Sequence, residues 1–175
     1  MAKREALREL QSRLAERLKV ARTQANTATW LAVESGGQGF LLPLGEAGEI
    51  FPFGALVPVP HTSGWFLGVA NLRGGLHGVV DLAGFLGLKS QAANEFAREQ
   101  LRLIAFNPVL EINCAMLVDK LSGLRSREQL EEDADEGRPK PGFVGGRYRD
   151  SSGRVWQELR LAALAGDESF LKIVG

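Results

Sequence analysis

The chain has 175 residues, a length that suits one globular domain or two small lobes and is sufficient to bury a core. Its composition, 45% hydrophobic and 24% charged residues, is typical of a globular protein. Its 21 basic and 21 acidic side chains balance, so the whole molecule has no electrostatic preference for nucleic acid or an anionic membrane. The single cysteine, Cys114, excludes an internal disulfide and a cysteine-based metal cluster. It lies in an apolar run and is expected to be a buried hydrophobe.

The N-terminus is charged but is not followed by the apolar segment of a signal peptide. A membrane-spanning helix needs at least about 18 consecutive apolar residues, and no such run is present. We therefore expect a cytoplasmic protein with no segment inserted in a membrane.

The first predicted element is an amphipathic helix over residues 3–24. Its leucines recur at spacings of three and four and therefore share one stripe. They are Leu7, Leu10, Leu14 and Leu18. Seven basic residues against three glutamates leave a local net charge of +4. We expect the stripe to pack on the body of the same chain. Docking to a partner and lying on a membrane surface are the alternatives, and the second would be unusual for a face without aromatic residues.

Short β-like runs separated by turn residues follow the helix. The predicted strands are residues 30–33, 39–44, 65–72, 76–82, 101–106, 111–119 and 155–159. Residues 55–60 are expected to be extended and at an edge, because they contain two prolines. Short helices are predicted at residues 82–86 and 159–164. Many short strands at close spacing indicate a small barrel or a sandwich.

Residues 68–82 read as two apolar strands joined by a tight turn. Gly74-Gly75 suits the positive φ angles of a two-residue hairpin turn. Arg73 comes just before that turn, where a long cationic side chain on a rigid support can reach a carboxylate or carbonyl of a partner.

An acidic run over residues 128–136 is followed by a segment rich in proline and glycine up to residue 142. Like charges repel and proline interrupts regular structure, so a solvated loop is predicted. An acidic loop that contacts a partner is the alternative.

Catalytic and metal-binding patterns are weak. His77 and Asp81 would lie about 13 Å apart along a strand, whereas a base and its orienting carboxylate need a separation of about 3 Å. Two histidines without Glu or Cys at ligand spacing make a poor metal site, and the glycines near residue 37 do not continue into a phosphate-binding loop. We expect no enzyme activity, no cofactor and no metal.

A small β-barrel that binds nucleic acid is another class to consider. It would need a basic face with aromatic residues for stacking. Several arginines between residues 102 and 160 supply some charge, but the balanced total argues against this function.

Residues 68–82 resemble the Asn-Leu-Arg-Gly hairpin of the CheW family of chemotaxis coupling proteins. Further segments resemble that family in the same order, and the resemblance covers residues 28–173. They are Glu49-Ile50, Pro58-Val59-Pro60, residues 117–122 and residues 143–159.

The resemblance implies a mainly β fold with two interleaved five-stranded SH3-like barrels, an added N-terminal helix and a short C-terminal helix. Residues 1–27 would form the helix and residues 28–175 the CheW-like domain. It also implies a non-enzymatic adaptor whose partners are the cytoplasmic tip of a chemoreceptor and the regulatory domain of a CheA-type histidine kinase. Self-association in arrays is a further expectation of the family.

Carried over by position, the resemblance implies a partner-binding site that includes Arg73, Gly68 and Glu49, with Asn71 and Gly74 shaping the turn. Gly78 departs from the family, which usually has proline there. That departure and the N-terminal helix favour the adaptor of a type IV pilus system, which controls twitching motility. A flagellar chemotaxis adaptor is the alternative.

Overall fold

The computed structural model describes residues 2–89, 95–134 and 137–175. The N-terminal helix is α1 (Ala2–Thr27), close to the predicted bounds. The strands are β1 (Ala28–Ser35), β2 (Gln38–Pro43), β3 (Ala47–Pro52), β4 (Phe66–Leu72), β5 (Gly75–Asp81), β6 (Arg102–Phe106), β7 (Cys114–Val118), β8 (Lys120–Ser126), β9 (Leu130–Asp133), β10 (Val144–Asp150) and β11 (Val155–Leu159). The short helices are α2 (Leu82–Phe85), α3 (Glu95–Arg98), α4 (Leu161–Leu164) and α5 (Glu168–Leu171).

The strands form two sheets, and in the sequence the second sheet is inserted between strands of the first. The first sheet has the order β8-β1-β2-β11-β10-β9, and the second has the order β3-β6-β7-β5-β4. The chain begins the first sheet, builds the whole second sheet, and then returns to complete the first. The predicted mainly β, interleaved fold is confirmed. Two details differ from the predicted five-stranded barrels: within the described residues the first sheet has six strands, and in neither sheet do the two edge strands pair to close a barrel.

Strand β7 lies between two cores. Cys114, Met116 and Val118 point into the cluster between the sheets, whereas Ala115 and Leu117 point into the cluster enclosed by the second sheet. A strand buried on both faces reads as a continuous apolar run. Burial raises the pKa of the Cys114 thiol to about 12. This cysteine is therefore a packing residue, as predicted.

The second sheet curls around its own cluster. Phe51 of β3 and Leu72 of β4 both pack against that cluster, although β3 and β4 are opposite edges of the sheet. Strand twist and tilt bring the edges of such a sheet towards each other. This curvature positions the site described below.

The leucine stripe of α1 does not pack on the body, and that prediction was wrong. Leu7, Leu10, Leu14 and Leu18 are between 51% and 66% exposed. Periodicity correctly predicts an amphipathic helix, but it does not identify what covers the apolar face. Among the described residues, no helix is long and apolar enough to cross a membrane.

The predicted acidic loop is partly wrong, because its first half contributes strand β9. Leu130 is buried in the core of the first sheet. Asp133 forms ion pairs with two arginines of the neighbouring β10. Its Oδ2 lies 3.4 Å from Nη2 of Arg147 and 3.6 Å from Nη2 of Arg149. Opposite charges across a strand pair are favourable, so acidic residues are compatible with a strand at this edge of the sheet. Residues 135 and 136, also part of this prediction, lie outside the described residues.

Other strand predictions differ in their bounds. The extended segment at residues 55–60 has one bridge to the sheet, between Val57 and Val69. The strand predicted from residue 111 begins at Cys114, after a short 3-10 turn at Pro108–Leu110. Strands β3 and β8 were not predicted, because their residues are partly polar and only intermittently buried.

Candidate functional site

The hairpin between β4 and β5 ends in a two-residue loop formed by Arg73 and Gly74. Leu72 pairs with Gly75, so Gly75 is the first residue of β5 rather than part of the turn. Both loop residues have positive φ, 51° for Arg73 and 79° for Gly74. Two consecutive positive φ angles identify a type I′ turn, whose twist matches that of the strands. The predicted turn was therefore displaced by one residue, and Arg73 occupies its first position.

A left-handed conformation at Arg73 is uncommon for a residue with a side chain and costs about 1–3 kcal/mol. Asn71 offsets part of this cost, because its Oδ1 accepts a hydrogen bond from the Gly74 amide at 3.0 Å. The asparagine at position 71 therefore holds the turn closed. This geometry agrees with its expected role in shaping the turn.

Arg73 is oriented by Glu49. The Nη2 of Arg73 lies 2.6 Å from Oε1 of Glu49, and the two side chains are 77% and 43% exposed. An exposed ion pair contributes at most about 1 kcal/mol of stability, so its main effect is to restrict where the guanidinium points. The guanidinium has five N–H donors, and those not directed at Glu49 are available to a partner carboxylate or carbonyl.

Gly68 has a different role from the residues at the turn. It pairs with Val79, four positions along the ladder from the Leu72–Gly75 pair that closes the turn. Its φ is 139°, and an added Cβ would lie 2.3 Å from the carbonyl oxygen of Val57. The absence of a side chain lets the segment around Val57 lie close alongside β4, where Val57 and Val69 exchange two backbone hydrogen bonds of 2.9 Å. Gly68 therefore shapes the edge of β4, away from the arginine.

Exposed aliphatic side chains occur in the hairpin, in β3 and in the segment that bridges to β4. Leu76 is paired with Asn71 across the hairpin, Ile50 follows Glu49 in β3, and Val57 bridges to β4. Composition alone does not single out these three residues. The proline on the C-terminal side of Val57 was a usable signal, because proline is typical of exposed edge segments.

The described residues contain no group of three or more His, Cys, Asp or Glu side chains placed to hold a metal ion. His77 lies near the turn, and its Nδ1 is 3.0 Å from the carbonyl oxygen of Gly75. Burial raises the pKa of Asp81, which follows at the end of β5. The site thus presents a fixed cation beside apolar side chains, an arrangement suited to binding a partner surface.

The sequence matches the model of the CheW-like domain over residues 29–169. It is 30% identical over 113 residues to Protein PilI of Pseudomonas aeruginosa, a match that covers 65% of this chain and 61% of that protein. The chain therefore matches less than two thirds of the length of this curated relative.

The fold is similar to the crystal structure of the scaffolding protein TtCheW from Thermoanaerobacter tengcongensis. The TM-score is 0.62, and the match covers 76% of this chain and 88% of that chain. With 16% sequence identity, the likeness supports the fold alone.

Proposed function

The chain belongs to the CheW-like domain family, and on that premise we propose that it is a non-enzymatic adaptor that couples chemoreceptors to a CheA-type histidine kinase. Members of the family are scaffold adaptors. The observation that carries the proposal for this chain is the ion pair between Arg73 and Glu49 at the tip of the β4–β5 hairpin. It holds a cation in a defined direction at an exposed position that a partner can reach.

We assign receptor docking to the hairpin tip. A charge-assisted hydrogen bond from Arg73 would fix the orientation of the receptor's cytoplasmic tip. Exposed aliphatic residues, among them Leu76 and Ile50, would supply the apolar contact area. Asn71 and Gly74 would act by maintaining the turn, and Gly68 by maintaining the edge of β4.

Coupling of this kind is a matter of geometry and differential binding. The adaptor would hold the kinase's regulatory domain and the receptor at a fixed spacing, and self-association would extend that spacing into an array. A receptor signal changes kinase activity only if the complex binds one state of the kinase more tightly than the other.

We propose a type IV pilus chemosensory system, and hence twitching motility, as the pathway. The 30% identity to Protein PilI supports this assignment. A flagellar chemotaxis adaptor remains the second candidate, because the CheW-like match alone does not distinguish between the two systems.

The test is calorimetric titration of the full chain with the regulatory domain of each chemotaxis-type kinase of the host, one for each chemosensory system. Micromolar binding to the kinase of the pilus system, with no heat from the others, is the expected result. Binding only to a flagellar kinase would assign the protein to flagellar chemotaxis instead of the pilus system. Binding to none of the kinases would refute the coupling function.

A further inference from the structure

Helix α1 carries a narrow apolar stripe that the described structure leaves exposed. At 3.6 residues per turn, Leu7, Leu10, Leu14 and Leu18 fall within an arc of about 80° of the helix circumference. The stripe extends for about 16 Å, at a rise of 1.5 Å per residue between Leu7 and Leu18. Val20, which is also exposed, lies outside the stripe, about 125° from its centre.

The arginines and glutamates of α1 are sorted around this stripe, whereas Lys3 lies in line with the stripe at its N-terminal end and Lys19 lies on the side of the glutamates. All arginines of the helix flank it at roughly 60–120° from its centre, two on one side and three on the other. They are Arg13 and Arg17, and Arg4, Arg8 and Arg22. All glutamates lie on the far side, at roughly 140–180° from the centre. They are Glu5, Glu9 and Glu16.

Sorting of this kind limits what the stripe can bind. In a pair of helices, the residues that flank the apolar seam face those of the partner and determine which partner is accepted. A second copy of α1 would bring arginines against arginines in either orientation, which is repulsive. A membrane surface favours a broader apolar face, usually with aromatic residues, and α1 has neither feature.

We propose that α1 docks through its leucine stripe onto a helix of another protein whose own apolar stripe is flanked by Asp or Glu. The partner carboxylates would pair with the flanking arginines, while Glu5, Glu9 and Glu16 remain directed towards solvent. Arg13 is 2.7 Å from Glu9 within the helix, but an exposed pair of this type is weak and is readily exchanged for a partner carboxylate. This surface is separate from the hairpin and does not depend on what the hairpin binds.

Two synthetic helical peptides test the charge requirement. Both have four leucines at the spacing of the stripe, one with glutamates at every flanking position and the other with lysines there. Fluorescence anisotropy with the full chain should give binding at least about tenfold tighter for the glutamate peptide, decreasing as salt rises. The double substitution Arg8→Glu with Arg17→Glu should remove this preference.

Matched variants test the stripe itself. Leu10→Ala together with Leu14→Ala should weaken binding of the glutamate peptide at least about tenfold, and alanine preserves helix propensity. Val20→Ala is the control, because it removes an exposed apolar side chain of the same helix that lies outside the stripe. Circular dichroism would verify that helix content is retained.

Three results would overturn the proposal. The first is equal affinity for both peptides, which would leave the charge sorting without effect. The second is binding to phosphatidylglycerol vesicles that exceeds binding to the glutamate peptide. The third is a dimer in sedimentation experiments that Leu10→Ala with Leu14→Ala dissociates.

Discussion

The guanidinium of Arg73 lies 2.6 Å from the carboxylate of Glu49, although the two residues belong to hairpin and edge elements at opposite sides of the same sheet. Curling of the second sheet around its own core brings them together. The ion pair thus connects the two edges of the sheet, whose strands β3 and β4 are not paired by backbone hydrogen bonds. Its consequence is a hairpin tip whose cation is held in one direction.

Replacing Arg73 with glycine should separate docking from stability. Glycine populates positive φ readily, so Arg73→Gly relieves the left-handed strain at the turn while it removes the guanidinium. We expect the urea concentration at the midpoint of unfolding to be equal or higher. The free energy of unfolding should rise by up to about 1 kcal/mol. Receptor binding should nevertheless weaken, because the guanidinium is gone. A clear decrease in the urea midpoint would contradict the strain assigned to this turn.

Asn71→Ala should loosen the turn by removing the acceptor for the Gly74 amide. A hydrogen bond of this kind contributes about 0.5–1.5 kcal/mol. We expect a loss of that size in thermal or urea unfolding, together with faster amide exchange at Gly74. Asn71→Asp retains the acceptor and is the matched control. Unchanged exchange at Gly74 in the alanine variant would show that the hairpin holds the turn without Asn71.

Gly68→Ala should be strongly destabilising. The added Cβ would meet the carbonyl oxygen of Val57 at 2.3 Å, and φ of 139° is unfavourable for alanine. We expect a loss of about 2 kcal/mol or more, or release of the segment around Val57 from β4. Gly64→Ala is the control, since its Cβ would meet no atom within 4 Å. Equal midpoints for the two variants would refute the close approach.

Asp150 should make the fold sensitive to acid. Hydrogen bonds from Ser152 and Trp156 lower the pKa of its carboxyl from the ordinary value of 3.8 to about 2. Because the folded-state pKa is the lower one, the stabilising contribution is complete above about pH 4 and is lost as the pH falls towards 2. Asp150→Asn should therefore reduce the decrease in stability between pH 5 and about pH 2. Parallel pH profiles for the variant and the unsubstituted chain would contradict this assignment.

Much of the fold was predictable because apolar alternation records burial. Strand β7 is apolar throughout and is buried on both faces, and the segment that becomes β4 and β5 reads as a hairpin. The position of the turn was displaced by one residue because glycine-glycine suits positive φ better than arginine-glycine does. Pairing of Leu72 with Gly75 overrides that local preference.

Other features depend on partners distant in the sequence. The acidic residues of β9 are compatible with a strand because Arg147 and Arg149 face them from β10. Resemblance to the family placed Glu49 and Arg73 in one site, but it did not predict their contact, which requires the curvature of the sheet. The exposure of the α1 leucines was likewise not visible in their spacing, since periodicity is the same for a covered and an uncovered stripe.

The most direct test of the adaptor assignment is titration of the full chain and its Arg73→Ala variant with the cytoplasmic tip of a chemoreceptor from the same system. A charge-assisted hydrogen bond of about 1.5–3 kcal/mol corresponds to a loss in affinity of roughly 10-fold to 150-fold. Arg149→Ala, which removes an exposed paired arginine of the other sheet, should bind normally. We predict weakened binding by Arg73→Ala with an unchanged melting transition, and wild-type affinity in that folded variant would contradict docking at the hairpin.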